Sequence, residues 1–61
     1  MNKIVEIKSN LHFKVGYNDV VEISKFDYEG TCGYYPWYRV VFENGNIYEI
    51  NSLYVEWIAY E

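Results

Sequence analysis

The sequence predicts an all-β fold, a small antiparallel barrel of five or six strands. Three observations predict it. In several short runs, apolar residues recur at every second position, the period of a pleated strand with one buried face. Clusters of Gly, Asn, Asp and Ser, the residues of tight turns, separate those runs. Aromatic residues make up 21% of the chain, and together with the β-branched residues they suit a half-buried pleat.

In chain order, Lys3–Lys8 (KIVEIK) reads as a short strand with Val5 and Ile7 on one side. Ser9-Asn10 is a turn. Leu11–Tyr17 alternates, with Leu11, Phe13, Val15 and Tyr17 facing one way and His12, Lys14 and Gly16 the other. Gly16–Asp19 is the next turn. Asp19–Tyr28 starts with Val21 and Ile23 inward, and its phase changes near Ser24-Lys25, so that Phe26 and Tyr28 carry the apolar side; a bulge would produce this change. Glu29–Pro36 holds two glycines and a proline and is the longest loop.

Trp37–Ile50 is the central hairpin. Asn-Gly between two β-prone runs is a strong hairpin signal because both residues tolerate positive φ. A two-residue loop, Asn44-Gly45, would mix charged and apolar groups on each face. A three-residue loop, Glu43-Asn44-Gly45, sets Val40 opposite Tyr48 and Tyr38 opposite Ile50. It also sets Arg39 across from Glu49, a pair worth about 0.2–1 kcal/mol. Because a one-residue slip inverts every side chain, the segregated register is expected. Tyr38, Phe42 and Tyr48 are then core residues. Asn51-Ser52 ends the hairpin, Leu53-Tyr54 forms a helical turn, and Val55–Tyr60 closes the sheet as a strand. A short helix from a Ser52 cap is the alternative for this last element.

The chain has 61 residues, which indicates one domain with a small core. Its single cysteine permits no internal disulfide and fits a reducing cytoplasm. The start of the chain does not read as a signal peptide, and no apolar run is long enough to span a membrane. Thirteen aromatic side chains exceed what so small a core encloses, so some are expected at the surface as an interaction site. The net charge of −4 is uneven. Residues 1–18 carry three lysines against one glutamate; residues 19–61 carry Lys25 and Arg39 against eight acids. Such a balance argues against a phosphate backbone as partner and favours a basic protein surface. Abundant Asn, Ile, Tyr and Lys beside one Ala, one Arg and one Pro suggest AT-rich codons, hence a low-GC bacterium or a virus infecting one.

This order of elements resembles the Src-homology-three-like barrels, including Tudor-like domains. Trp37, Val41, Phe42, Asn44, Gly45 and Ile50 carry the resemblance, with the Asn51–Tyr54 turn and the last strand, over residues 19–60. It implies a distal hairpin, one helical turn and a closing strand, on a scaffold that displays aromatics to peptides, nucleic acids or other proteins. The acidic first loop and Trp-Trp pair of the peptide-binding members are absent, so proline-motif binding is not implied.

No catalytic, cofactor-binding or metal-ligating residue is singled out. His12 and Cys32 are the only residues of their kind. A nucleophilic pair would need them in contact with an orienting group, and one of each cannot complete a four-coordinate metal site. Asp19, Glu22, Asp27 and Glu29 read as a solvated acidic edge. The candidate partner-binding set is Asp27, Tyr28, Glu29, Tyr34, Tyr35, Trp37, Glu56 and Trp57. Its aromatics would anchor a partner, and its acids would draw Arg or Lys. The function expected from these features is non-enzymatic: occlusion of a basic surface on a larger host protein, in the manner of phage-encoded anti-CRISPR or anti-restriction inhibitors, in the cytoplasm of a bacterial host cell. A nucleic-acid or nucleotide binder and a self-associating structural protein are the other two readings.

Overall fold

The computed structural model describes residues 3–26 and 36–61. Six antiparallel strands form one sheet curled into a half-barrel: β1 Ile4–Lys8, β2 His12–Lys14, β3 Val20–Phe26, β4 Trp37–Phe42, β5 Ile47–Asn51 and β6 Trp57–Tyr60. A single 3-10 turn, Ser52–Tyr54, precedes β6. The strand order is β2-β1-β3-β4-β5, with β6 on β1. No helix among the described residues is long and apolar enough to cross a membrane.

Curling brings one face of the sheet around a core of Ile7, Val20, Ile23, Tyr38, Val40 and Ile50. Ile4, Phe13, Val15, Phe42, Val55 and Ile58 pack around it. The buried Ser9 has its polar groups satisfied within its own turn: its N–H donates to the Leu11 carbonyl at 2.8 Å, and its hydroxyl accepts from the Leu11 N–H at 3.3 Å.

The central hairpin adopts the three-residue loop. Tyr38 pairs with Ile50, Arg39 with Glu49 and Val40 with Tyr48. The Phe42 N–H donates to the Asn46 carbonyl and the Gly45 N–H to the Phe42 carbonyl, both at 2.9 Å. Gly45 has φ +90°, in the left-handed region that side chains disfavour. The Asn44 side chain accepts from the Asn46 N–H at 3.0 Å, so Asn44 closes the loop as an Asx turn. Across the ladder, Arg39 Nη2 lies 3.3 Å from Glu49 Oε2.

Four sequence expectations are corrected. Val5 does not share the core side with Ile7. The β1–β6 register shifts between Ile4 and Glu6, and the extra residue lets Ile4 and Ile7 both face the core. The run Leu11–Tyr17 is a strand only over His12–Lys14. Gly16, at φ +92°, turns the chain, and the Tyr17 N–H bonds back to the Lys14 carbonyl at 3.0 Å. Leu11 and Tyr17 are therefore exposed. In β3 the register shift falls between Val20 and Glu22, not near Ser24-Lys25. Val20 and Ile23 are buried, and Val21 is 51% exposed. Tyr48 is 38% exposed: it shares the inward face with Val40 but sits toward the open end, where its ring meets Phe13 at 5.3 Å between centroids.

The turn at residues 17–20 uses Asn18 and Asp19 at φ 53° and 67°, as these two residue types tolerate left-handed backbone. After β5 the cap is Asn51, not Ser52: its side chain accepts from the Leu53 N–H at 2.9 Å. One helical turn forms, and the chain then closes as a strand. Of the loop expected over residues 29–36, only Pro36 is among the described residues, and Tyr28 and Cys32 lie outside them.

Candidate functional site

β5 is the last strand in the sheet order and pairs with β4 alone among the described strands. A groove of about 540 Å³ is lined by four consecutive residues of this edge strand, Tyr48 to Asn51. Trp37, Tyr54, Asn10 and Glu56 complete its lining.

Local rules place each of these groups. Trp37 is the first residue of β4, paired across the ladder with Asn51 on one side and Phe26 on the other. Asn51 caps the 3-10 turn, and the Ser52 N–H donates to the Pro36 carbonyl at 3.0 Å. The turn is thereby tied to the start of β4. A single turn with no buried residue cannot hide its apolar side chains, and Tyr54 is 70% exposed. Glu56 is anchored twice by Lys8: its N–H donates to the Lys8 carbonyl at 2.7 Å, and its carboxylate meets Lys8 Nζ at 3.1 Å.

The two charged residues that line the groove are both acids, Glu49 and Glu56. Glu49 is held by Arg39, whose guanidinium carbon stacks 4.3 Å above the Phe26 ring on the outer face of the sheet. This arrangement leaves an aromatic trough whose two carboxylates are already ion-paired, Glu49 with Arg39 and Glu56 with Lys8. It can take an extended chain that offers apolar surface and a cationic group.

Of the expected binding set, Trp37 and Glu56 share this groove. Trp57 does not line it. It pairs across β1 with Lys8, and its ring packs edge-on against His12 at 5.5 Å. Glu56 and Trp57 are neighbours in extended chain, so their side chains leave in opposite directions. Asp27, Tyr28, Glu29, Tyr34 and Tyr35 lie outside the described residues. The groove also contains two tyrosines that sequence reasoning does not assign to it. Periodicity puts Tyr48 in the core, and Tyr54 reads only as part of a turn. The available signal for Tyr54 is the Asn51 cap, since a single short turn leaves its own side chains mostly in solvent.

His12 stands on the polar side of β2, where its Nε2 contacts the Glu6 carboxylate. Among the described residues no group of three or more His, Cys, Asp and Glu could hold a metal ion. Burial pushes the Tyr38 hydroxyl above its ordinary pKa, and the neighbouring Tyr60 adds to the shift.

No protein-family model, curated protein or solved structure matches this chain.

Proposed function

We propose that this chain is a non-enzymatic protein-binding module whose β5-edge groove takes a basic, extended segment of a larger protein. One observation carries the reading: Trp37, Tyr48 and Tyr54 all line a groove whose two charged lining residues are both carboxylates. Tyr and Trp give large contact area at low entropic cost and are enriched among interface anchors. A Lys or Arg of the partner would exchange with Lys8 and Arg39 at the two carboxylates. The narrower reading is inhibition by occlusion, as in phage proteins that plug a host defence enzyme. It holds if the bound segment belongs to a functional basic surface.

The test is retention of proteins from a low-GC bacterial lysate on immobilised chain, together with tryptophan fluorescence titrated with Lys/Arg-rich peptides. Tyr54→Ala and Glu56→Lys are each expected to weaken binding at least ~10-fold, which corresponds to about 1.4 kcal/mol. Equal retention by wild type and both variants would remove the groove from the function.

A further inference from the structure

The two outer strands of the sheet order, β2 and β5, are protected unequally. β2 has three residues, among them His12 and Lys14. Shortness and cationic side chains are two of the means by which proteins stop an edge from taking up a further strand. β5 has five residues, with no lysine and no proline. Its ladder with β4 has no register shift, so no bulge twists it away. Its one charged residue, Glu49, is drawn sideways to Arg39 of β4, and Ile47 is 54% exposed. An edge of this kind is a template for another strand.

The hydrogen bonds at the two ends of the hairpin fix which main-chain groups of β5 point outward. At the loop end the Phe42 N–H donates to the Asn46 carbonyl at 2.9 Å, and at the other end the Ser52 N–H donates to the Pro36 carbonyl at 3.0 Å. In an antiparallel ladder, hydrogen-bonded pairs alternate with pairs that exchange no bond. Both ends give the same phase: Val40–Tyr48 and Tyr38–Ile50 are the hydrogen-bonded pairs. Tyr48 and Ile50 therefore spend their main-chain groups on β4. Those of Ile47, Glu49 and Asn51 point away from it. The Ile47 N–H and C=O and the Asn51 N–H take no part in the turn and loop hydrogen bonds of the described residues.

We propose, building on the protein-binding role of the β5-edge groove, that the partner segment adds to β5 as a further antiparallel strand. Main-chain hydrogen bonds to Ile47 and Asn51 then supply affinity, and alternate side chains of the segment supply specificity. The register defines the segment. Its residue opposite Glu49 lies on the outer face, where a Lys or Arg meets the Glu49 carboxylate. Its residues opposite Tyr48 and Ile50 lie on the core side of the sheet and are apolar. The partner sequence is therefore a cation between two apolar residues, in extended chain. A second copy of β5 fits less well. The two-fold antiparallel pairing with the longest overlap is centred on Glu49 and sets that carboxylate directly opposite its own image, which is destabilising.

The probe is a short capped peptide of alternating lysine and valine, with two isomers that carry N-methyl groups on the lysine nitrogens or on the valine nitrogens. With lysine opposite Glu49, the lysine N–H groups face β5 and the valine N–H groups face away. Titrated by tryptophan fluorescence, the lysine-methylated isomer should bind at least ~10-fold more weakly than the unmodified peptide, and the valine-methylated isomer within ~3-fold of it. In amide exchange, the Ile47 and Asn51 N–H groups should slow at least ~10-fold when the peptide saturates the chain, whereas those of Tyr48 and Ile50 are slow already. Ile47→Pro removes the edge donor without touching the β4 ladder and should weaken the peptide to a similar degree. Near-ultraviolet circular dichroism checks that this variant folds, and the methylated peptides test the same bonds on the unaltered chain. Equal affinity of the two isomers, or unchanged exchange at Ile47 in the saturated complex, overturns strand addition and leaves the groove standing as a binding surface. Failure of the unmodified peptide to bind overturns both. A chain that reaches twice the 7.4 kDa mass without peptide, with its Ile47 N–H protected, assigns the edge to a second copy and also overturns the proposal.

Discussion

The β4–β5 hairpin and the β1–β2–β6 layer are built from the same residue types, yet they behave differently. The hairpin is a regular ladder of five residue pairs without a shift, and one glycine sets its register. The other layer centres on β1, which pairs with β2, β3 and β6. It achieves this only with a register shift at Ile4/Glu6 and a three-residue β2. Local turn chemistry suffices where a strand has neighbours close in sequence. Where one strand must serve three partners, the pleat has to be broken.

Ile7 gives the largest expected effect on that contrast. It is fully buried where β1 meets both β2 and β6. Ile7→Ala should cost about 2–5 kcal/mol, enough to unfold much of a domain this small in a urea titration. Ile50→Ala, in the hairpin half, should cost less within that range because Ile50 keeps slight exposure. Equal losses would erase the distinction between the two halves.

Gly45 comes next. An added Cβ would meet nothing within 4 Å, but the backbone stands at φ +90°. The cost of Gly45→Ala is therefore conformational, about 1–2 kcal/mol. Thermal unfolding should show the loss, and an unchanged midpoint would mean that the register does not depend on this turn. Asn51→Ala should cost about 1 kcal/mol by removing the cap on the 3-10 turn; the same variant should loosen Tyr54 and weaken peptide capture in the groove. Glu49→Gln, which breaks a partly exposed pair with Arg39, should cost about 0.2–1 kcal/mol.

The smallest effect at neutral pH concerns Tyr38. Its folded-state pKa is raised by burial and then by Tyr60, while an unfolded tyrosine titrates near 10. Above that pH the unfolded chain has lost the proton that the folded chain still holds, so stability falls as pH rises. Below it the contribution is complete. Denaturation between about pH 9 and 12 should show the decline, and Tyr38→Phe should reduce it.

The legible and illegible parts of the sequence divide along the same line. The hairpin register is legible from Gly45 and from the separation of Val40 and Tyr48 from Arg39 and Glu49. The helical turn and the closing strand are legible too. The bulges near Val5 and Val21 are not, because period-two reading assumes an unbroken pleat and closure of the sheet decides where it breaks. Periodicity also gives the face of a side chain but not its depth, which is why it puts Tyr48 in the core. For the groove, the pairing of aromatics with acids points to Trp37 and Glu56. Trp57 does not line that groove, since adjacency along an extended chain separates side chains instead of gathering them.

The pairing of Ile4 with Tyr60 also sets the mechanical character of the fold. Force applied through residues 4 and 60 would load the β1–β6 contacts one at a time, like the teeth of a zip, beginning beside the register shift at Ile4/Glu6. Single-molecule stretching through these two residues should therefore find the β1–β6 pair opening at low force.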